Sequence, residues 1–206
     1  MGVYDQEIWE KLNENMIESF LDEVNPSLEP IPFFTDTTSV KYTDLSFYDE
    51  YDLYQLKDYD AVPTVEKFLL YKKGSAIPIT WTNEGIYNLN KSAPVILTDE
   101  TIIDYVKFFF HYVRGRHGRF TIVEHVDDIN WKEAPISNTR KALNEMIKTV
   151  EIIGKSMDGN YKLSANMVFK DSLFKSTILI DKNGRVSLTD EEILVEAMPV
   201  FLDMSS

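Results

Sequence analysis

Thr98–Val126 reads TDETIIDYVKFFFHYVRGRHGRFTIVEHV, and this stretch decides the fold. Thr98 is suited to cap a helix, because its hydroxyl can accept from a first-turn backbone N–H. Asp99, Glu100 and Asp104 put negative charge near the positive end of the helix dipole. Ile102, Val106, Phe109 and Val113 recur at helical spacing, and Ile103, Tyr105 and Phe110 widen the apolar surface beyond one stripe. A helix that is apolar over most of its circumference is buried on more than one side. Gly115 suits the left-handed position past the helix end, with Arg114 at the negative end of the dipole. Phe120, Ile122 and Val126 then alternate with polar or smaller positions, which is the period of a strand.

The segment leaving this helix, Arg114, Arg116, His117 and Arg119, is the one basic cluster of the chain. Arginines beside turn N–H groups suit a phosphate or carboxylate. The alternative is structural, with the arginines satisfying helix carbonyls or pairing with nearby acids. The spacing is not that of a phosphate-binding loop or a dinucleotide fingerprint.

A chain of 206 residues suits a single domain spanning 1–206, with residues 1–39 packed onto it. Cysteine is absent, which excludes disulfides, thiol nucleophiles and thiolate metal sites. No apolar run approaches membrane-spanning length and no secretory signal pattern opens the chain, so a soluble, cytoplasmic protein is expected. Net charge is −13, and its placement matters more than its size. Residues 1–60 hold 15 Asp/Glu against 3 Lys, whereas residues 61–206 hold 19 against 18 Lys/Arg. Such a field repels nucleic acid and anionic lipid and attracts basic partners. A solvated acidic face that aids solubility is the competing explanation.

Along residues 4–24, Ile8, Leu12, Met16, Ile17, Phe20, Leu21 and Val24 share one helical face. Glu7, Glu10, Glu14, Glu18 and Asp22 cover the other, and Asn25-Pro26 stops the pattern. Residues 25–39, with Pro26, Pro30 and Pro32, read as a connection tacked down by Phe33 and Phe34. In residues 40–60 five tyrosines are interleaved with acids. Tyrosine gives rigid contact area with a polar tip, so Tyr48, Asp49, Glu50, Tyr51, Asp52 and Tyr54 are candidates for contact with a basic protein. The competing reading, and the weightier one, makes Phe47, Tyr51, Leu53 and Tyr54 the buried side of a short helix. The acids do not form a calcium loop, since its glycine and closing glutamate are missing.

Strands are expected at 67–72, 76–82 and 86–90, with Pro78 marking an edge. Glu124, His125, Asp127 and Asp128 are the tightest group of metal-capable side chains, but strand alternation sends Glu124 and His125 to opposite faces. A short helix capped by Asn138 or Thr139 runs through Leu143, Met146 and Ile147, giving way to β-branched residues at 150–153. From about 149 to 188 the pattern is an antiparallel meander, with turns at 157–160, 170–172 and 181–184. Thr189-Asp190-Glu191-Glu192 has the form of a capping box opening a last helix that Pro199 ends.

The meander is amphipathic, and the Thr98 helix is its expected cover. The fold class is therefore α+β: a curved antiparallel sheet packed on a long central helix, with an added N-terminal amphipathic helix. This plan resembles cystatin-like and NTF2-like rolls at the level of architecture, which implies no particular function. Two functional classes follow. One is a non-enzymatic module, like an immunity or inhibitor protein, that offers an acidic Tyr-rich surface to a basic protein. The other is a small hydrolase or ligand-binding roll, with His117, Arg119, Glu124 and His125 in a pocket between helix and sheet. No catalytic residue, metal site or cofactor is assigned.

Overall fold

Two antiparallel sheets, each of five strands, carry the architecture of the computed structural model, which describes residues 9–30 and 32–201. The chain divides into two units: Glu7–Thr80 with Glu84–Pro94, and Trp81–Asn83 with Val95–Ser206.

The first unit runs β1 (Glu10–Lys11), α1 (Glu14–Val24), β2 (Thr38–Thr43), β3 (Asp52–Asp58), β4 (Val65–Lys72), β5 (Ser75–Pro78) and α2 (Glu84–Ser92). Its strands pair in chain order, every one antiparallel to the next. Asn13 caps α1, its side chain accepting from the Asn15 N–H at 3.1 Å. Ile17, Phe20, Leu21 and Val24 pack onto Val40, Tyr54, Leu56 and Leu69 of the sheet. Glu14, Glu18 and Asp22 stay on the exposed side. The amphipathic helix is thus shorter than the expected span of 4–24. Glu10 and Lys11 pair with Tyr42 and Lys41 instead. The Leu12 N–H donates to the Val40 carbonyl at 3.0 Å. Leu12 joins the same core as the helix from an extended segment, which explains its fit to the helical spacing. The expectation for residues 4–8 lies outside the described residues.

Of the two phenylalanines in the connection, Phe33 is buried and Phe34 is exposed. The Asn25 side chain holds both the N–H and the carbonyl of Phe33 at 2.9 Å. Residues 86–90, expected as a strand, are helical in α2. Ile86, Leu89 and Asn90 are its buried positions, a spacing of three and four rather than two. β5, with Pro78, lies at the sheet edge.

The second unit contains α3 (Ile102–Tyr112), β6 (Thr121–Ile122), α4 (Ser137–Met146), β7 (Glu151–Lys155), β8 (Tyr161–Phe169), β9 (Ser172–Ile180) and β10 (Val186–Val195). The sheet order is β10-β9-β8-β6, with β7 also pairing β8. Leu163, Ala165 and Met167 of β8 share a buried face with Ile178 and Ser176 of β9. Asp99, before α3, accepts from the Tyr161 hydroxyl at 2.7 Å. Beyond the helix, Phe120 stacks on Phe169 with ring centroids 4.3 Å apart. The Tyr105 hydroxyl donates to the Gly184 carbonyl at 2.5 Å. The helix is eleven residues long, with Ile102, Tyr105, Val106, Phe108, Phe109, Phe110 and Tyr112 buried.

Several local expectations are corrected. Thr98 accepts from the Glu100 N–H at 3.2 Å, but regular helix begins only at Ile102. The chain leaves α3 through extended Val113, and Gly118 rather than Gly115 takes positive φ. The strand after it covers two residues, and Val126–Asp128 forms a 3-10 turn. Ile136 rather than Asn138 or Thr139 precedes the first turn of α4. The capping-box segment does not open a helix. β10 continues through it to Val195, with Asp190 at φ 50 where the register shifts between Thr189 and Glu192. A bulged strand accommodates the extra residue, and three consecutive exposed acids suit a sheet edge. The polar face of β8 is not left to water either: Ser164 and Asn166 are buried. Asn166 accepts from the Lys148 N–H at 2.8 Å, and Val168 and Leu173 meet Val123, Leu143 and Ile147.

Among the described residues no helix is long and apolar enough to cross a membrane. Tyr105→Phe keeps the ring and strands the Gly184 carbonyl, so it should lower stability by about 1–2 kcal/mol in urea unfolding. A loss within error would show that the hydroxyl does not anchor the helix to the β9–β10 turn.

Candidate functional site

The register of β2 on β3 gathers acids that are scattered in the sequence. Pairing ends at Thr43 opposite Leu53, so the next positions set Asp44 against Asp52. Tyr42 lies on the same face, opposite Glu10 of β1, and its hydroxyl donates to Glu10 Oε2 at 2.7 Å. Glu10, Asp44 and Asp52 therefore surround one phenol, and Glu10 foremost raises the Tyr42 pKa above the usual range. Burial, and then the Asp44 charge, raises Asp52 above the ordinary carboxylate range. Like charges at opposed cross-strand positions destabilise a sheet.

The tyrosines expected as contact area are placed in the core. Tyr48, Tyr51 and Tyr54 are 7%, 5% and 9% exposed. Tyr48 donates to Asn90 Oδ1 at 2.6 Å, Tyr51 to Ser75 Oγ at 3.0 Å, and burial raises the Tyr48 pKa. Tyr54 stacks on Phe20 at 4.8 Å and Tyr42 at 5.4 Å, and its edge contact to Tyr71 is 5.1 Å. Burial first, then Asp52, pushes Tyr54 up to about 12. The alternation that made these rings look like the buried side of a helix is that of a strand and its preceding turn. Asp49 and Glu50 are exposed and Asp52 is half-buried. Glu50 accepts from Lys72 at 2.7 Å, and Glu14 lies 3.6 Å from Lys11.

In the second unit the basic segment forms a tight hairpin. The Gly115 N–H donates to the Gly118 carbonyl at 2.9 Å, and the Gly118 N–H to the Gly115 carbonyl at 3.2 Å. Arg116 and His117 form its exposed tip. Arg114 lies over the Trp81 ring at 4.4 Å, while Arg119 donates to the His111 carbonyl at 3.3 Å.

The Glu124–Asp128 group is separated by its structural duties. Asp128 Oδ2 accepts from the N–H groups of Glu124 (2.8 Å) and His125 (2.9 Å). Asp127 binds Arg140, and Glu124 accepts from Lys107 and from the Val150 N–H, both at 2.9 Å. Among the described residues no group of three or more His, Cys, Asp or Glu is arranged to hold a metal. Glu124 and His125 do line a groove of about 390 Å³ with Asn144, Lys148, Thr149 and Glu151. His117 and Arg119 are not part of it. An apolar groove of about 270 Å³, with Trp131, Leu143, Met146, Val195, Met198 and Pro199, has no counterpart in the sequence reading, which took residues 189–197 as helix.

No family model, curated protein or solved structure matches this chain.

The Asp44–Asp52 opposition has a testable sign. Folded Asp52 holds its proton to higher pH than the unfolded chain does, so its contribution to stability falls as pH rises through that range. Asp52→Asn should therefore stabilise the protein by about 0.5 kcal/mol near neutral pH, with the gain disappearing in acid once the native carboxyl is protonated. Urea unfolding at both pH values measures it, and a destabilised variant at neutral pH would count against the repulsion.

Proposed function

We propose that this protein is a non-enzymatic binding module whose acidic surface, built from residues 1–60, receives a basic protein partner in the manner of an immunity or inhibitor protein. The observation that carries this reading is the opposed Asp44 and Asp52 beside Glu10. Their repulsion is relieved when a lysine or arginine from outside sits between them. Exposed Glu14, Glu18 and Asp22 extend the negative field along α1, and Asp49 and Glu50 extend it along the β2–β3 connection. The cytoplasm is the proposed compartment. Recognition in this form rests on the carboxylates, with the buried tyrosines as their stiff support. A roll-like curvature of the second sheet around α3 belongs to the same proposal.

Electrostatic recognition of this kind weakens as salt screens it. Capture of basic proteins from a host lysate should fall steeply between low and high salt. It should also fall in a variant carrying Asp44→Asn, Asp49→Asn, Glu50→Gln and Asp52→Asn. Capture that ignores both changes would overturn the proposal.

A further inference from the structure

The apolar groove of about 270 Å³ is built wholly from residues of the second unit. One wall is α4, where Thr139, Ala142, Leu143 and Met146 recur at spacings of three and four and so share a helix face. The other wall is the end of β10 and the turn after it, Val195 to Pro199. That turn is tied down by its backbone: the Met198 N–H donates to the Asp171 carbonyl and the Pro199 carbonyl accepts from the Lys132 N–H, both at 2.8 Å. Trp131 completes the lining. Its indole N–H is committed to the Val126 carbonyl at 2.9 Å, so it offers the groove carbon rather than a donor.

Two features of the turn point to an occupant. Ala197 holds φ 53, a region that residues with a Cβ rarely enter, and such strain gathers at ligand sites. Glu196 brings the one charged side chain of the lining, and it is exposed and in no ion pair with a described residue. The other side chains supply carbon, the Thr139 hydroxyl and the thioethers of Met146 and Met198.

We infer that this groove binds a small amine with an apolar body, its ammonium at Glu196 and its body between α4 and the turn. The volume holds roughly nine water molecules at about 30 Å³ each, so the guest has about ten non-hydrogen atoms. Methionine thioethers adapt to an aromatic ring and attract it. Burying the body removes apolar surface from water on both sides of the contact. An anionic guest would meet Glu196 and the net charge of −13, whereas a cation is drawn by both. None of these residues belongs to the acidic surface of residues 1–60, so this site and that surface stand or fall separately.

The test titrates the full chain with phenethylamine, 2-phenylethanol and 3-phenylpropionate, which share an aromatic body and differ in charge, and follows the methionine methyl resonances by NMR. Saturable shifts centred on Met146 and Met198 are expected, with the amine binding tightest and the carboxylate weakest. Glu196→Gln should weaken the amine about three- to fivefold and leave the alcohol unchanged. Ala142 is exposed, so Ala142→Phe should fold normally while its ring fills the groove. Binding of the amine should then fall about tenfold or more. Thr139→Phe, at another exposed position of the same face, decides if that variant does not fold. No saturable response, equal binding of amine and alcohol, tightest binding of the carboxylate, an unchanged titration of the filled variant, or shifts confined to other methionines would overturn the assignment.

Discussion

A three-turn helix that buries seven of its eleven residues leaves water only a narrow strip, with Asp104 exposed and Ile103, Lys107 and His111 half-buried, and the second unit is arranged around that constraint. Phe108, Phe109 and Phe110 are consecutive in α3, so they point some 100° apart around the axis, and all three are buried. Leu163, Met167 and Ile178 of the sheet in the same unit are fully buried as well. Each large apolar side chain buried this way contributes about 1.5–3 kcal/mol, whereas a hydrogen bond contributes about 1. Apolar contact therefore supplies the stability. The polar groups decide where the helix sits: Asp99 is held at the Tyr161 end by Tyr161 and Lys155, and Tyr105 is fixed to Gly184. Lys155 foremost keeps the Asp99 carboxyl below its usual pKa.

β8 is buried on both sides. The segment that follows β6 covers the face of Asn166 and Val168, and Leu163 and Met167 on the opposite face are also buried, so a strand with alternating polar residues has no side left to water. Asn166 makes that possible. Its carbonyl oxygen, on the side chain, takes the Lys148 N–H, and its backbone carbonyl takes the Val123 N–H at 3.0 Å. A buried amide with its bonds made adds little to stability by itself. Replaced by an apolar group, however, it would leave the Lys148 N–H without a partner, so it specifies how the chain crosses the sheet.

What was legible in the sequence followed from local chemistry, and what was not followed from pairing. The apolar breadth of residues 102–113, the turns at 157–160 and 181–184, and the strand at 161–169 are local properties, and each reappears in the structure, although the polar side of that strand is buried rather than exposed. The Thr189–Glu192 segment misled because a capping box states only that a helix could begin there. The neighbouring β9 offers a ladder of hydrogen bonds that resumes at Glu192 after the bulge, and that long-range pairing prevails over a local preference. Ile86–Asn90 misled in the opposite direction, since five residues do not distinguish a period of two from one of three and four. The candidate acids were visible as composition, but the opposition of Asp44 and Asp52 required the strand register. The stacking of Arg114 on Trp81 joins residues 33 positions apart and leaves no trace in spacing.

Charge shows the same dependence on pairing. Two exposed charges 4 Å apart in water interact by only about 1 kcal/mol, and physiological salt screens them beyond about 8 Å. Glu14, Glu18 and Asp22 on the outer face of α1 are in that regime, and the helix tolerates them with little effect on stability. Asp52 is not, because it is half-buried in β3, between β2 and β4, with a second carboxylate opposite. One lysine at either position would turn the repulsion into an ion pair, as at Glu50 and Lys72. Stability alone would favour that exchange. Asp44 and Asp52, proposed to meet a basic partner, are therefore distinguished from the rest of the acidic segment by the sheet, which makes their charge matter where they stand.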